Sequence, residues 1–256
     1  MSTFFISDLH LCEQRPRIAE LFVHFMQTRA RDASSLYILG DLFELWIGDD
    51  YVPNGLHDVI DALRHYAASQ GDLYVLHGNR DFLLGEQFEV MTGCQLLPDP
   101  TIIDLNGTRT LLTHGDELCT DDVDYMEFRS QVRQPEWQKS FLNKPVEQRL
   151  AFAEKARLES QSHTSHKPMD IMDVNQRAVE QWLLKHDVTQ MIHGHTHRPQ
   201  THTFSLEGKT MTRIVLGDWY EQGSLLECTA QGCQLETLPV QQTPAAANDT
   251  VNKPGG

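Results

Sequence analysis

Residues 188–197 read VTQMIHGHTH, an apolar run that closes on three histidines at alternate positions. In an extended backbone, side chains two apart project to the same side. His193, His195 and His197 are therefore expected to line up at the end of a strand, with only Gly194 and Thr196 between them. A single histidine there is usually a hydrogen-bonded core residue. Several at this spacing point to a metal, provided that partners exist elsewhere in the chain.

Working outward, the partners stand where other apolar runs end. Asp8 and His10 follow TFFIS (3–7) and share a face by the same alternation. Asp41 follows SLYILG (35–40), Asn79 follows DLYVLHG (72–78), and His114 follows RTLLT (109–113). Between the first runs lie amphipathic segments, RIAELFVHFMQTRA (17–30) and GLHDVIDALRHYAAS (55–69), which predict helices. Continuous apolar strands alternating with helices imply a sheet covered on both faces. Further on, TIIDL and RTLLTHG, QTHTFSL and MTRIVLG, and SLLECT and CQLETLPV pair around short turns as hairpins. The predicted fold is α/β: a sandwich of two mixed β-sheets flanked by helices, spanning residues 1–240.

Residues 121–170 break this rhythm and predict an inserted helical cap. Pro135 and Pro145 fit first-turn positions there. Eight of the chain's 21 Lys and Arg fall in this segment: Arg129, Arg133, Lys139, Lys144, Arg149, Lys155, Arg157 and Lys167. Its apolar residues, among them Tyr125, Phe128, Trp137, Phe141, Leu142, Leu150 and Phe152, exceed what a solvated loop needs. Half or more of them are expected to pack the cap's own core. The tail from Gln241 to Gly256 is small, polar and rich in Pro and Gly, and reads as disordered.

The whole chain has 256 residues, 40% of them hydrophobic, and a formal charge of −15. That balance argues against a nucleic-acid partner. No apolar run reaches the roughly 18–20 residues a membrane span needs, and the start does not read as a signal peptide. Five cysteines without a CxxC pair suggest unpaired thiols in a reducing cytosol.

Carboxylate, imidazole and amide oxygen together suit borderline divalent ions. Asp8, His10, Asp41, Asn79, His114, His195 and His197 comprise two carboxylates, four imidazoles and one amide. Two divalent ions among them would leave a charge of about +2, a centre that attracts phosphate oxygens. An aspartate can also bridge two ions about 3.5–4 Å apart, the arrangement of two-metal hydrolysis.

DLH, GD, GNRD, HGD and GHTH, in this order, resemble the calcineurin-like metallophosphoesterases. The resemblance implies that Asp8, His10, Asp41 and His197 hold one ion. Asp41, Asn79, His114 and His195 would hold the other, with Asp41 bridging. His193 has no place in the pattern and is expected to pack or to support its neighbours. Most members carry GNH, whose histidine protonates the leaving group; this chain has Arg80 instead. A guanidinium suits a leaving phosphate, already a stable anion, better than it suits an alkoxide. A diphosphate substrate follows, with catalytic roles for Asp41, Asn79, Arg80 and His195.

Within that family, DLHL, GDLFELWIGDD, GNRDFLLG, HGDELCTDD and GHTHRP with a helical insertion are similar to the UDP-2,3-diacylglucosamine pyrophosphatases of lipid A biosynthesis. That likeness implies two Mn²⁺ ions and an acylated UDP-sugar as substrate. It also implies substrate contacts from Asn79, Arg80, Asp122, Ser160, Thr164, Lys167 and His195, to which Arg157 adds a further phosphate contact. A basic, apolar cap also suggests peripheral contact with anionic lipid on the cytoplasmic face of the inner membrane, through Arg149, Lys155 and Arg157. A cytoplasmic monomer is expected. Two alternatives stay open: a metallophosphoesterase acting on a soluble nucleotide diphosphate or phosphodiester, and a non-catalytic scaffold with this fold.

Overall fold

The computed structural model describes residues 2–164 and 173–240, with side chains for all of these except 159–164. The first half runs β1 (Ser2–Ile6), α1 (Pro16–Gln27), β2 (Ala33–Leu39), α2 (His57–Ser69), β3 (Asp72–Leu76), α3 (Glu86–Thr92) and β4 (Gln95–Leu97). These four strands pair in parallel, and each connection carries a helix or loop over the sheet. Helix α1 starts with Pro16 in its first turn, where a missing N–H costs nothing. Its buried residues Ile18, Leu21, Phe22 and Phe25 recur at helical spacing and face the sheet.

A hairpin of β5 (Thr101–Leu105) and β6 (Thr108–Thr113) opens a second sheet. The predicted cap follows as α4 (Val123–Val132), α5 (Pro135–Leu142) and α6 (Val146–Thr164). After α7 (Gln176–Lys185), β7 (Gln190–His193) pairs in parallel with β6 and with β9 (Lys209–Val215), while β8 (Gln200–Leu206) runs antiparallel to β9. The chain ends in a hairpin, β10 (Gln222–Thr229) and β11 (Gly232–Pro239), that returns to the first sheet antiparallel to β1. The result is a six-stranded sheet, β11-β10-β1-β2-β3-β4, and a five-stranded one, β5-β6-β7-β9-β8.

Alternation along single strands builds the layers. Phe4 and Ile6 of β1 face the helices α1 and α2, while Phe5 between them joins Leu39, Leu76, Leu112, Ile192 and Ile214 in the core between the sheets. On the outer face of the second sheet, Leu111 and Met191 pack on Val179 and Leu183 of α7. The sandwich is thus helix, sheet, sheet, helix, and the parallel strands deliver their carboxyl ends to one region.

Two expectations need correction. Cys228 and Cys233 are joined in a disulfide, because the β10–β11 register sets them opposite each other with Cα atoms 4.0 Å apart; Cys12, Cys94 and Cys119 form no disulfide. The cap's aromatic residues Trp137, Phe141 and Phe152 pack on one another, and that cluster also reaches the main body. Trp137 stacks on Phe141 at 4.9 Å and meets Phe82 of the main body at 6.3 Å, while Phe141 joins the core beneath α1 and α2. Arg149 cannot touch lipid: it is 1% exposed, and its guanidinium bonds to the Ile47 carbonyl at 2.6 Å and to Asp50 at 2.8 Å.

Candidate active site

All seven predicted donors converge where five strands end. Asp8 and His10 come from the loop after β1, Asp41 from that after β2, Asn79 from that after β3, His114 from that after β6, and His195 and His197 from that after β7. The first three loops belong to one sheet and the last two to the other.

The convergence does not arise from strand alternation. Strand β7 ends at His193, which turns into the interior; its Nδ1 meets the Gly194 carbonyl at 2.9 Å and its Nε2 lies 3.2 Å from Arg213. The expected alignment of three histidines therefore fails, and His193 serves as packing and support. His195 and His197 instead sit on left-handed backbone, at φ 68° and 55°. Asp8, His10 and Asp41 do the same, at φ 55°, 50° and 51°. Among the described residues only Asn106, Asp187 and Glu207 are other non-glycine positions of this kind. Backbone strain of this sort costs on the order of 1–3 kcal/mol per residue and collects where function holds it in place.

His114 and Asp8 are aimed by second contacts. His114 donates Nδ1–H to the Leu39 carbonyl at 2.9 Å, leaving Nε2 to the centre. Asp8 Oδ2 accepts from Ser7 Oγ at 2.6 Å and from the His195 N–H at 2.9 Å, leaving Oδ1 toward His197 Nε2 at 3.4 Å and His10 Nε2 at 4.0 Å. Asp41 Oδ2 lies 3.7 Å from His10 Nε2 and 3.7 Å from His114 Nε2, and so faces both halves of the cluster. Asn79 Oδ1 stands 3.0 Å from His114 Nε2 and 3.0 Å from His195 Nδ1.

These contacts fit divalent cations. Asp8 Oδ1 is buried without a hydrogen-bond partner, an expensive condition for a carboxylate. His10 Nε2 and His197 Nε2 face each other at 3.3 Å. A cation between such donors removes both difficulties. Asp8, His10 and His197 bring ligand atoms within 4.8 Å of one another, as do Asp8, Asp41 and His114. Protonation agrees. Burial raises the Asp8 carboxyl, but His197, His114 and His10 outweigh it and hold the group well below the usual range. Burial, with His114, pushes His195 down to about 4. Both then stand in the form a metal requires.

The other predicted residues fall around this centre. Arg80 is half-buried; its N–H bonds Asp41 Oδ1 at 2.8 Å, and its Nε has no hydrogen-bond partner. Asp122 caps α4, accepting the Tyr125 N–H at 3.2 Å. Arg157 on α6 reaches Glu44 at 3.0 Å. Ser160 and Thr164 lie on α6 with side chains outside the described residues, and Lys167 lies outside them altogether.

Sequence reasoning missed two braces. Asp81, fully buried, accepts the N–H of Gly78 at 2.8 Å and of Leu42 at 2.8 Å, tying the loops after β2 and β3 together. Burial and Asp41 push it up to about 6. Asp116, equally buried, accepts Arg129 Nε at 2.7 Å and the Tyr125 hydroxyl at 2.6 Å, anchoring α4 beside the centre. Arg133 reinforces this through the Gly78 carbonyl at 2.9 Å. Their place inside the GNRD and HGD blocks was the available signal.

Comparison with known proteins agrees with this geometry. The calcineurin-like phosphoesterase model matches residues 1–199. The chain is similar to the UDP-2,3-diacylglucosamine hydrolase of Stenotrophomonas maltophilia (strain K279a), 49% identical over 93% of this chain and 99% of that one. It is likewise similar to those of Xanthomonas oryzae pv. oryzae (strain PXO99A), 50% identical over 92% and 98%, and of Aeromonas hydrophila subsp. hydrophila, 51% identical over 92% and 98%. With the family's motifs at the ends of five strands and its model covering residues 1–199, this chain belongs to the calcineurin-like phosphoesterases.

Proposed function

We propose that this chain hydrolyses the pyrophosphate bond of UDP-2,3-diacylglucosamine by water attack on the α-phosphorus. The products are UMP and 2,3-diacylglucosamine 1-phosphate, and the pathway is lipid A biosynthesis. The observation that carries the reading is the pairing of two donor groups about one carboxylate oxygen, Asp41 Oδ2, 3.7 Å from a histidine on each side. Relatives that align almost end to end at about 50% identity bear the name of this substrate, which supports the choice among diphosphates.

We assign two Mn²⁺ ions to the centre: one to Asp8, His10, Asp41 and His197, the other to Asp41, Asn79, His114 and His195. When bound, such a pair supplies Lewis acidity and a water of lowered pKa. The protein's own part is orientation. Asn79, Arg80 and His195 would grip the phosphate oxygens, and the Arg80 guanidinium would neutralise the departing phosphate without giving up a proton. Asp122, Arg157, Ser160, Thr164 and Lys167 would hold the rest of the substrate from the cap side. Phe128, Leu142, Phe152 and Leu158, all partly exposed on the cap, offer apolar surface for acyl chains.

No helix among the described residues is long and apolar enough to cross a membrane. We assign the protein, as a monomer, to the cytoplasmic face of the inner membrane, held by the cap's Lys155 and Arg157 and its exposed apolar residues. Co-sedimentation with anionic vesicles should fall with salt and with neutralisation of these two residues; unchanged binding would remove this assignment.

The reaction is tested by turnover in water labelled with heavy oxygen. Label in UMP is expected, and label in the lipid product would contradict attack at the α-phosphorus. A panel of CDP-alcohols and unacylated UDP-sugars should be cleaved far more slowly; equal rates would favour a soluble substrate.

A further inference from the structure

His10 offers Nε2 to the centre and turns Nδ1 away from it, toward Glu44. The loops after β1 and β2 run side by side. His10 N–H bonds the Asp41 carbonyl at 2.9 Å, Leu11 N–H that of Leu42 at 2.9 Å, and Glu44 N–H that of Leu11 at 3.1 Å. This pairing sets the Glu44 carboxylate beside the imidazole: Oε2 lies 3.3 Å from His10 Nδ1, a charge contact rather than an aligned hydrogen bond, and Nδ1 has no hydrogen-bond partner among the described residues. On its other face the His10 ring stacks on Tyr220, with centroids 5.4 Å apart, and the Arg15 guanidinium covers Tyr220 at 4.5 Å.

Glu44 is only 8% exposed, and a carboxylate so placed needs charged partners. It has two besides His10. Arg15 reaches Oε2 at 3.3 Å, and Arg157 reaches Oε1 at 3.0 Å. Arg157 belongs to α6, so one carboxylate touches both a candidate metal ligand and the cap.

We infer that Glu44 is a positioning residue that orients His10 for its cation and, through Arg157, couples occupancy of the centre to the seating of α6. A carboxylate so placed favours the Nδ1–H tautomer, whose Nε2 lone pair points inward. With a cation held at Nε2, the polarised ring would bind Glu44 more firmly and so fix the carboxylate that Arg157 grips. By linkage the effect is reciprocal: whatever seats α6 on Glu44 strengthens the hold on the ion. The inference rests on the reading of this centre as a divalent-ion site.

The test uses the full chain stripped with chelator, titrated with Mn²⁺ alone by calorimetry, and followed by amide exchange over residues 146–158. Glu44→Gln should weaken Mn²⁺ binding about 10- to 100-fold, and Arg157→Ala about two- to fivefold, as suits a half-exposed ion pair. Glu44→Asp should recover part of the loss. Exchange in α6 should slow on adding Mn²⁺ to wild type but not to either Glu44→Gln or Arg157→Ala. Urea unfolding of the stripped variants separates loss of the fold from loss of orientation. A Glu44→Gln protein that binds within twofold of wild type, or an α6 indifferent to Mn²⁺ in wild type, would overturn the inference. A wild type that binds no ion would overturn the metal reading as well, and so the two failures are told apart.

Discussion

The backbone N–H of Arg80 donates to Asp41 Oδ1 at 2.8 Å, which commits one oxygen of the carboxylate to the protein and leaves Oδ2 to the centre. That oxygen faces His10 and His114 equally. Replacing Asp41 by Asn keeps the volume but removes the charge on which both donor groups converge. Asp41→Asn is expected to lower kcat/KM by at least about 100-fold and to reduce the bound metal per chain, read by steady-state kinetics and elemental analysis. Full metal content with full activity would exclude a bridging role.

Arg80 Nε lacks a protein partner although the residue is half-buried. Arg80→Ala is expected to lower kcat about 100- to 1,000-fold on the diphosphate, the effect of losing one charge-stabilising donor. Metal content should stay unchanged, because the side chain is not a ligand. Arg80→His puts the choice of leaving group to a separate test. If that variant gained monoesterase activity while keeping its pyrophosphatase activity, the argument from a stable leaving anion would be lost.

Asp50 holds the buried Arg149 at the base of α6, and the contact lowers the Asp50 pKa through the hydrogen bond from Arg149. A carboxylate depressed in the folded state stabilises above its unfolded pKa, about 3.9, and loses that contribution as pH falls through its folded value. Asp50 is 60% exposed, so screening keeps the effect to at most about 1 kcal/mol. Asp50→Asn should therefore be destabilised at pH 7, and its gap from wild type should close as pH falls below about 4. Urea unfolding of metal-free protein across that range measures it; a gap independent of pH would rule out the charge as the cause.

Asp116 and Arg129 anchor α4. Arg129→Ala leaves a fully buried carboxylate short of its main cation and is expected to cost about 3 kcal/mol. The loss should be greatest at α4, where amide exchange of residues 123–132 should quicken beyond that of β6 and β7. Uniform quickening would mean that the pair stabilises the molecule as a whole rather than the cap's attachment.

Much of this was legible because the donors occur in short blocks after apolar runs, and a run's end is visible in one dimension. Strand alternation extended past the end of β7 picks the right residues for the wrong reason. His195 and His197 reach the centre by left-handed turns, whose geometry no alternation encodes. Cys228 and Cys233 were missed because their pairing depends on hairpin register, not on spacing. Glu44 was passed over since its significance lies in facing His10 and Arg157, residues distant in the chain. Arg149 looked like a surface charge, as most arginines are. Only the tertiary fold reveals its carbonyl and carboxylate partners.

The division of donors between the two sheets has a mechanical side. Asp8, His10, Asp41 and Asn79 hang from one layer, and His114, His195 and His197 from the other. An ion gripped from both would work as a rivet through the sandwich, so chelation should loosen the plates as well as disarm the chemistry. Melting temperature should climb with free metal by simple mass action, and the strand ends around the rivet, not the hairpin tips, should be where the gain in rigidity is felt.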